Sequence, residues 1–284
     1  MTRDPRSQTA LPHSAPDPSE DAEGSLEAAV VQVADLLQDT RYCIALTGAG
    51  ISAESGIPTY RGKDGLWTKN GEPPLNQYQR FLEDPADYWE TQRKRREEPD
   101  ELFETLREAV PNDGHFALAE LERNGVLHHT LTQNIDNLHR LAGSTRLTEI
   151  HGNSHFTRCL GCNVRTPFDE IPEAVLPRCE VCGGLLKSDT VMFGEPIPRD
   201  VLEACLREAD QADCILLVGT TAVVTPAADF AWDIYRRGHP LIEINPEPTV
   251  ISDHCAVTIR TSAGEALPRV VDRLKRAAAS RTDS

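Results

Sequence analysis

The chain has 284 residues, of which 39% are apolar and 26% are charged, so it can bury one sizeable core and is neither fibrous nor wholly disordered. Its formal net charge is −16, and only five of its 29 cationic residues are lysine. This balance disfavours binding to nucleic acid or to an anionic membrane, because both need clustered cations. The longest aliphatic run, Ile215 to Val218, is far too short to span a bilayer. No charged and then apolar leader opens the chain, so we expect a cytoplasmic protein.

Both ends of the chain are expected to lie outside the folded domain. Residues 1–24 carry four prolines among polar and acidic residues, which predicts a disordered tail. Residues 277–284 are expected to form a short C-terminal tail. From Ser25 onward, apolar residues recur at helical spacing, and this pattern predicts an amphipathic first helix.

Short apolar runs of strand length then alternate with helix-like stretches. The predicted strands are Tyr42–Leu46, Leu127–Leu131, Cys214–Val218, Leu241–Ile244 and Ala256–Ile259. Helices are predicted from Ser52 onward and over Leu138–Ala142, Pro226–Arg237 and Gly264–Ala279. Continuous rather than alternating apolar strands indicate a parallel sheet covered on both faces. We therefore predict a doubly wound, Rossmann-like α/β fold, which binds ligands at the carboxyl ends of its strands.

Two segments interrupt the alternation and are predicted to be insertions. Residues of about 62–113 contain no apolar run of strand length and are expected to form helices and loops. Residues of about 153–190 contain four cysteines and are expected to form a compact metal module. The Rossmann-like part then comprises about 25–61, 114–152 and 191–276.

The cysteines of the second insertion have the spacing of a zinc site. Cys159 and Cys162 form one C-x2-C pair, and Cys179 and Cys182 form another, with sixteen residues between the pairs. Four thiolates complete a tetrahedral shell around zinc and leave no open position, so this ion is expected to be structural. The alternative is a set of four buried thiols without a metal.

A glycine motif follows the first predicted strand. Gly48-Ala49-Gly50-Ile51-Ser52-Ala53 matches the G-x-G-x-x-G/A pattern of dinucleotide-binding loops. Gly48 is expected to allow the tight turn, and Gly50 to allow close approach of the backbone to a pyrophosphate. The usual acidic residue about 20 positions on is missing, so a dinucleotide has to be held differently from one in an ordinary dehydrogenase. The alternative is that these glycines only make a turn.

Polar side chains follow the second predicted strand. Gln133, Asn134 and Asp136 come directly after it, and His151 follows closely in the chain. Isolated histidines are usually structural, but this one is accompanied by two amides and a carboxylate. The set is suited to positioning a ligand and moving a proton rather than to packing.

These motifs together resemble the signature of the sirtuins, which are NAD-dependent protein lysine deacylases. The matching segments, in chain order, are GAGISAESGIPTYRG from Gly48 to Gly62, Gly65-Leu66-Trp67, TQNIDNLH from Thr132 to His139, His151-Gly152, the two C-x2-C pairs, Val191 to Glu195, Gly219-Thr220-Thr221, Asn245, and Gly264-x-x-Leu267-Pro268. The resemblance covers the chain from about Ser25 to Arg276 and implies a catalytic domain over residues 25–276.

The resemblance implies a site for NAD, which is consumed as a co-substrate, and one structural zinc ion. The residues implied to contact NAD are Gly48, Ala49, Gly50, Ile51, Ser52, Ile57, Tyr60, Arg61, Trp67, Gln133, Asn134, Ile135, Asp136, Gly219, Thr220, Thr221, Asn245, Pro246, Glu247 and Ala263. His151 matches the general base, with Asn134 and Asp136 in the catalytic set. The strand implied to pair with an extended substrate peptide consists of Val191, Met192, Phe193, Gly194 and Glu195.

The implied reaction transfers the acyl group of an acyl-lysine protein or peptide to ADP-ribose and releases nicotinamide. An imidazole that is mostly neutral at pH 7 can remove a ribose hydroxyl proton in this reaction. One alternative is an NAD glycohydrolase or mono-ADP-ribosyltransferase on the same fold, against which the peptide-pairing strand argues. Another is an inactive NAD sensor or scaffold, against which the intact catalytic set argues. The oligomeric state stays open.

The acyl preference depends on a predicted helix in the first insertion. Gln92 and Arg95 stand where family members that favour succinyl or malonyl groups carry Tyr and Arg. Without the Tyr this pair is incomplete, so acetyl is the expected acyl group. The alternative is that Arg95, with Arg93, Lys94 and Arg96, only forms a solvated basic face.

Overall fold

The computed structural model describes residues 18–63, 65–167 and 174–282. Most of the predicted N-terminal tail lies outside these ranges, but the first helix begins at Pro18 rather than at Ser25. Proline is tolerated in the first turn of a helix, where its missing N–H needs no partner. The last helix continues to Thr282, so residues 277–282 of the predicted C-terminal tail are helical. Ala277 to Ala279 have the highest helix propensity and extend it.

Strands and helices alternate along most of the described chain. The strands are β1 (Cys43–Thr47), β2 (Leu127–Thr132), β3 (Leu147–Glu149), β4 (Phe156–Cys159), β5 (Arg165–Pro167), β6 (Leu186–Ser188), β7 (Cys214–Val218), β8 (Leu241–Ile244) and β9 (Val257–Ile259). The helices are α1 (Pro18–Asp39), α2 (Leu66–Asn70), α3 (Gln77–Glu83), α4 (Pro85–Glu97), α5 (Glu101–Glu108), α6 (Asp113–Arg123), α7 (Leu138–Leu141), α8 (Arg199–Gln211), α9 (Ala227–Arg236) and α10 (Ala263–Thr282), with 3-10 helices at Ala49–Ser55 and Ser252–His254.

The main sheet is parallel, with the strand order β3-β2-β1-β7-β8-β9. This is the doubly wound order, in which the direction of strand addition reverses between β1 and β7. The predicted fold class is therefore confirmed. Each predicted strand corresponds to an observed one within one residue at either end, whereas β3 was not predicted because its sequence, Leu-Thr-Glu, has a single apolar residue.

Helices cover both faces of this sheet. On one face, side chains of α1, α6 and α10, such as Val33, Leu118 and Val270, pack against strand residues that include Leu216. On the other face, α8 and α9 pack against the strand residues whose side chains point to that face. Burial on both faces is why the strands have continuous apolar sequences. Within the described ranges, no helix is both long enough and apolar enough to serve as a membrane span.

The two insertions have different structures. Residues of about 62–113 form helices α2 to α5, with no strand among those that the structure describes. The cysteine-containing insertion forms a small antiparallel sheet of order β5-β4-β6. Both insertions begin at the edge of the main sheet where β1 and β2 end. The first follows the loop after β1, and the second follows the loop after β3.

Candidate active site

The candidate site lies at the carboxyl ends of β1 and β7, where the strand order reverses. The loop after β1 and the loop after β7 contact each other through their backbones. The N–H of Gly48 donates to the carbonyl of Val218 (3.1 Å), and the N–H of Gly50 donates to the carbonyl of Gly219 (2.8 Å). A doubly wound sheet binds its ligand at this point.

The glycines of these loops are required by this contact. A Cβ on Gly50 would lie 2.7 Å from the Cα of Gly219. A Cβ on Gly219, whose φ is +59°, would overlap the backbone nitrogen of Ile51. The Gly219 backbone fills the space that a Gly50 side chain would need, so this contact alone requires glycine here, and the approach of a pyrophosphate to Gly50 stays a prediction. The expected helix after Ser52 is instead the 3-10 helix Ala49–Ser55, and Ile57 is buried just beyond it.

The amides after β2 connect three loops. The side-chain nitrogen of Gln133 donates to the Thr220 hydroxyl (2.8 Å), which lies after β7. The side-chain nitrogen of Asn134 donates to the Gly48 carbonyl (3.1 Å) and to the Ser52 hydroxyl (3.0 Å), both after β1. These bonds fix the relative positions of the loops that surround the crevice.

Asp136 is buried in the same network. One carboxylate oxygen accepts a hydrogen bond from the Ser52 hydroxyl (2.7 Å), and the other accepts from the Leu138 backbone N–H (3.0 Å). Burial raises the pKa of Asp136 above its usual value. Burial and the nearby Asp136 charge likewise raise the pKa of Tyr60. Ile135 lies between the amide and the carboxylate, and its carbonyl accepts hydrogen bonds from Ser154.

His151 has the geometry of a general base. Its Nδ1 lies 3.0 Å from the backbone carbonyl of Gln133. Because a carbonyl can only accept, Nδ1 carries the proton, and the neutral ring has its lone pair on Nε2. Burial lowers the pKa of His151, so the ring is neutral at pH 7. A neutral imidazole with an unprotonated Nε2 can take a proton from a ligand hydroxyl.

A second histidine, which the sequence did not single out, belongs to this network. His115 is buried in the first turn of α6, and its Nε2 lies 3.5 Å from the Ser52 hydroxyl. Its Nδ1 accepts from the Asn112 backbone N–H (3.4 Å), and burial lowers its pKa to about 4. Its ring packs edge-to-face on His139 at 4.9 Å. Asn112 and His115 form the capping box at the start of α6, and this local pattern marks a helix start and not a site.

Aromatic rings cluster beyond the 3-10 helix that follows β1. The rings of Tyr60 and Trp67 lie 4.9 Å apart, and Trp67 contacts the ring of Phe193 edge-on at 5.5 Å. The Arg61 guanidinium lies over Trp67 at 4.6 Å and pairs with Glu72 (2.9 Å). The loop before α2, α2 itself and the segment after β6 thus come together.

The remaining predicted NAD contacts lie in the loops at the carboxyl ends of β7, β8 and β9. The side-chain nitrogen of Asn245 donates to the Thr220 carbonyl (3.2 Å), which joins the loops after these strands. Glu247 is exposed, and its N–H lies 3.4 Å from the side-chain oxygen of Asn245. The same edge of the sheet carries Thr221, Pro246 and Ala263.

The segment from Val191 to Glu195, here called the 191–195 segment, is a loop rather than the predicted strand. Gly194 has a φ of +83°, and the Glu195 carboxylate accepts from the Met192 N–H (2.8 Å), so the backbone turns. The Val191 N–H donates to the His151 carbonyl (2.8 Å). The segment is therefore next to the candidate base.

A cavity of about 700 Å³ opens beside the 191–195 segment. Its lining includes Gln92 and Arg95 from α4, together with Ile135 and Met192. The structure thus brings the α4 pair to one cavity with Ile135, which stands between Asn134 and Asp136 in the chain, and with Met192 of the 191–195 segment. The guanidinium of Arg95 is already bound by both carboxylate oxygens of Asp100, at 2.9 and 3.0 Å.

The four predicted metal ligands form one cluster. The sulfur atoms of Cys159 and Cys182 are 3.4 Å apart, and those of Cys162 and Cys179 are 3.7 Å apart. All four lie within 4.8 Å of one another. A tetrahedral zinc–thiolate site with bonds of about 2.3 Å has sulfur–sulfur edges of about 3.8 Å, so the cluster fits zinc.

Ion pairs attach the cysteine module to the main sheet. Arg165 of β5 contacts Glu149 (2.6 Å) at the end of β3 and Asp189 (2.7 Å) after β6. Arg158 of β4 contacts Asp189 at 2.6 Å. Asp189 also accepts from the backbone N–H of Asn153, two residues after the candidate base.

Comparison with known proteins identifies the family. The Sir2 family model matches residues 48–226. An NAD-dependent protein deacylase of Pyrococcus abyssi is 41% identical over 253 residues, which are 87% of this chain and 98% of that protein. A Sir2 homologue solved with NAD has a TM-score of 0.73 and 41% identity, over 87% of this chain and 94% of that one. A Sir2 structure with a p53 peptide and NAD+ has a TM-score of 0.69 and 31% identity, over 85% and 96%. The chain therefore belongs to the Sir2 (sirtuin) family, as its motifs predict.

Proposed function

We propose that the chain is an NAD-dependent protein lysine deacylase, which transfers the acyl group of acyl-lysine to ADP-ribose and releases nicotinamide. The observation that carries the proposal is the neutral His151, whose ring is held by the Gln133 carbonyl and whose backbone carbonyl accepts from Val191 of the 191–195 segment. The solved relatives with NAD and with a peptide support both halves of the reaction.

The crevice residues fit NAD. Their backbone amides and small side chains lie at the switch point of the sheet, and Gln133, Asn134 and Asp136 supply amide and carboxylate groups for a ribose and a carboxamide. Bound NAD would supply an electrophilic ribose carbon and a nicotinamide leaving group. The Tyr60 and Trp67 rings would exclude water from that carbon, which matters because water would hydrolyse NAD without deacylation.

His151 would then act as the base. Its Nε2 would accept a proton from a ribose hydroxyl, while the Gln133 carbonyl keeps the other proton on Nδ1 and holds the ring in place. Asn134 and Asp136 would orient the groups around the same ribose. They are held by Ser52 and the Gly48 carbonyl and therefore need little rearrangement.

The cavity would take the acyl chain. Its charged wall residue, Arg95, is paired in a bidentate manner with Asp100, so it attracts a carboxylate-bearing acyl group less than a free guanidinium does. Gln92 adds a neutral polar group. We therefore propose acetyl rather than succinyl or malonyl as the preferred acyl group.

The cysteine cluster would hold one structural zinc ion. Four thiolates leave no position for a substrate, so the ion would stabilise the module and take no part in the reaction. Its binding free energy then contributes to the folding of residues 153–190.

The test is a product analysis by mass spectrometry. The protein is incubated with NAD and one peptide that carries unmodified, acetyl- or succinyl-lysine. We expect nicotinamide and acetyl-ADP-ribose with the acetyl peptide, less product with the succinyl peptide, and none with the unmodified peptide. Nicotinamide release at the same rate without an acyl peptide would instead indicate a glycohydrolase, and ADP-ribose attached to the peptide would indicate a transferase of that group.

A further inference from the structure

Lys187 is a buried cation close to the candidate site. It lies in β6 of the cysteine module, and its side chain is 1% exposed. Its Nζ donates to the carbonyl oxygens of Ser188 (2.7 Å) and Thr190 (2.8 Å) and lies 3.1 Å from the Glu195 carboxylate. These three acceptors match the three hydrogens of an ammonium group. A buried charge is tolerated only when it is paired and hydrogen-bonded in this way.

The partners of this ammonium enclose the 191–195 segment. The Thr190 carbonyl comes directly before the segment, and Glu195 is its last residue. The Glu195 oxygen that faces Lys187 also accepts from the Met192 N–H. One ammonium group therefore holds both ends of the segment, and the Val191 N–H is bonded to the His151 carbonyl between them.

Fold stability alone does not account for this arrangement. A buried ion pair stabilises a fold little more than well-packed apolar residues of similar volume. The nearby charges have other partners, since Asp189 is bound by Arg158 and Arg165. Lys187 is thus directed to Glu195, the last residue of the 191–195 segment, and to the carbonyls of Ser188 and Thr190, which come just before the segment.

We propose that Lys187 is a positioning residue for the acyl-peptide substrate. By holding Thr190 and Glu195, it keeps the 191–195 segment in the conformation that borders both the acyl cavity and His151. The inference rests on the proposed function, because it takes this segment as part of the peptide site. Lys187 acts through the segment and does not touch the reacting atoms.

The experiment compares three lysine variants by steady-state kinetics, with KM measured separately for NAD and for an acetyl-lysine peptide. Lys187→Met keeps the length of the side chain and removes the charge, and Lys187→Arg keeps the charge. Lys275→Met is the matched control, because Lys275 is half exposed on α10 and pairs with Glu120. Glu195→Gln removes the other charge of the pair and provides a second measurement if Lys187→Met does not fold.

We expect Lys187→Met and Glu195→Gln to raise the peptide KM by about tenfold or more, since hydrogen bonds to a charged group are lost. The KM for NAD should change by much less, Lys187→Arg should restore most of the peptide affinity, and Lys275→Met should match the wild type. Equal losses for NAD and peptide, or no change in either, would overturn the inference while the wild type remains an active deacylase. A wild type that consumes NAD independently of the peptide would overturn the proposed function and the inference together.

Discussion

The two sides of His151 are constructed differently. On the nucleotide side, loops at the ends of buried strands contact each other backbone to backbone, as between Gly50 and Gly219. On the peptide side, inserted segments are held by ion pairs, as between Lys187 and Glu195 and between Arg165 and Glu149. The nucleotide side depends on glycines, which have no side chains to keep the loops apart. The peptide side depends on charge and on the cysteine module.

This difference predicts which perturbations each side tolerates. Backbone contacts of glycines are disturbed by steric bulk and are insensitive to charge. Ion-pair contacts between insertions respond to charge removal and to the loss of the metal that orders one insertion. Changes on either side should therefore alter the KM of one substrate more than that of the other, whereas a change at His151 should affect turnover.

The largest effect is expected from His151→Ala, which removes the base between the two sides. We expect kcat for the acetyl-lysine peptide to fall by about 10²- to 10⁴-fold, the usual contribution of a general base. The ring is half-buried at the surface of the crevice, so the thermal midpoint and the NAD affinity should remain close to those of the wild type. Turnover like that of the wild type in this variant would disprove the assignment of the base.

The next largest effect is expected from a change on the nucleotide side. Gly219→Ala places a Cβ at a φ of +59° and against the Ile51 nitrogen, so it should lower the free energy of unfolding by about 3 kcal/mol and raise the KM for NAD. Gly238→Ala is the matched control, because Gly238 has a φ of +82° with no atom within 4 Å of the added Cβ. That control should cost about 1–2 kcal/mol. Equal urea midpoints for the two variants would contradict the proposed steric contact.

Cys179→Ser tests the peptide side. We expect bound zinc to fall from about one ion per chain to nearly none, because a four-thiolate site loses a ligand. The module should then loosen, and the KM for the peptide should rise more than the KM for NAD, since Arg158 and Arg165 hold Asp189, which comes just before the 191–195 segment. Cys255→Ser, outside the cluster, is the control. Unchanged metal content measured by mass spectrometry would exclude this cysteine as a ligand.

The sequence predicted the nucleotide side better than the peptide side, for a physical reason. Buried strands such as Cys214–Val218 have continuous apolar runs, and polar residues directly after them, such as Gln133 and Asn134, come together wherever parallel strands end. The cysteine cluster was predictable from spacing because zinc geometry constrains it.

Features that depend on distant contacts were not predictable. The space beside Gly50 is filled by Gly219, a residue about 170 positions away, so local sequence could not reveal its role. His115 reaches Ser52 only through the packing of α6 on the loop after β1. The 191–195 segment turns because Glu195 binds Met192 and Lys187, and no local pattern distinguishes such a turn from a strand.

The smallest expected effect is a difference between two pH dependences. His151 should govern that of activity, whereas the other buried histidines should govern that of stability. Burial lowers the pKa of His151, and catalysis needs the neutral ring, so kcat/KM should be constant near pH 7 and fall below a midpoint lower than about 6.5. His115 and His139, with pKa values of about 4 and about 3, remain neutral in the folded protein over this range. Their lowered pKa values affect stability instead, and this contribution is fully present above about pH 6.5. Below that pH the unfolded chain binds two protons that the folded chain does not. The free energy of unfolding therefore falls by about 2.7 kcal/mol for each pH unit. Activity and circular dichroism measured together should therefore show loss of turnover before loss of structure. Coincident midpoints would mean that unfolding, and not protonation of His151, limits activity in acid.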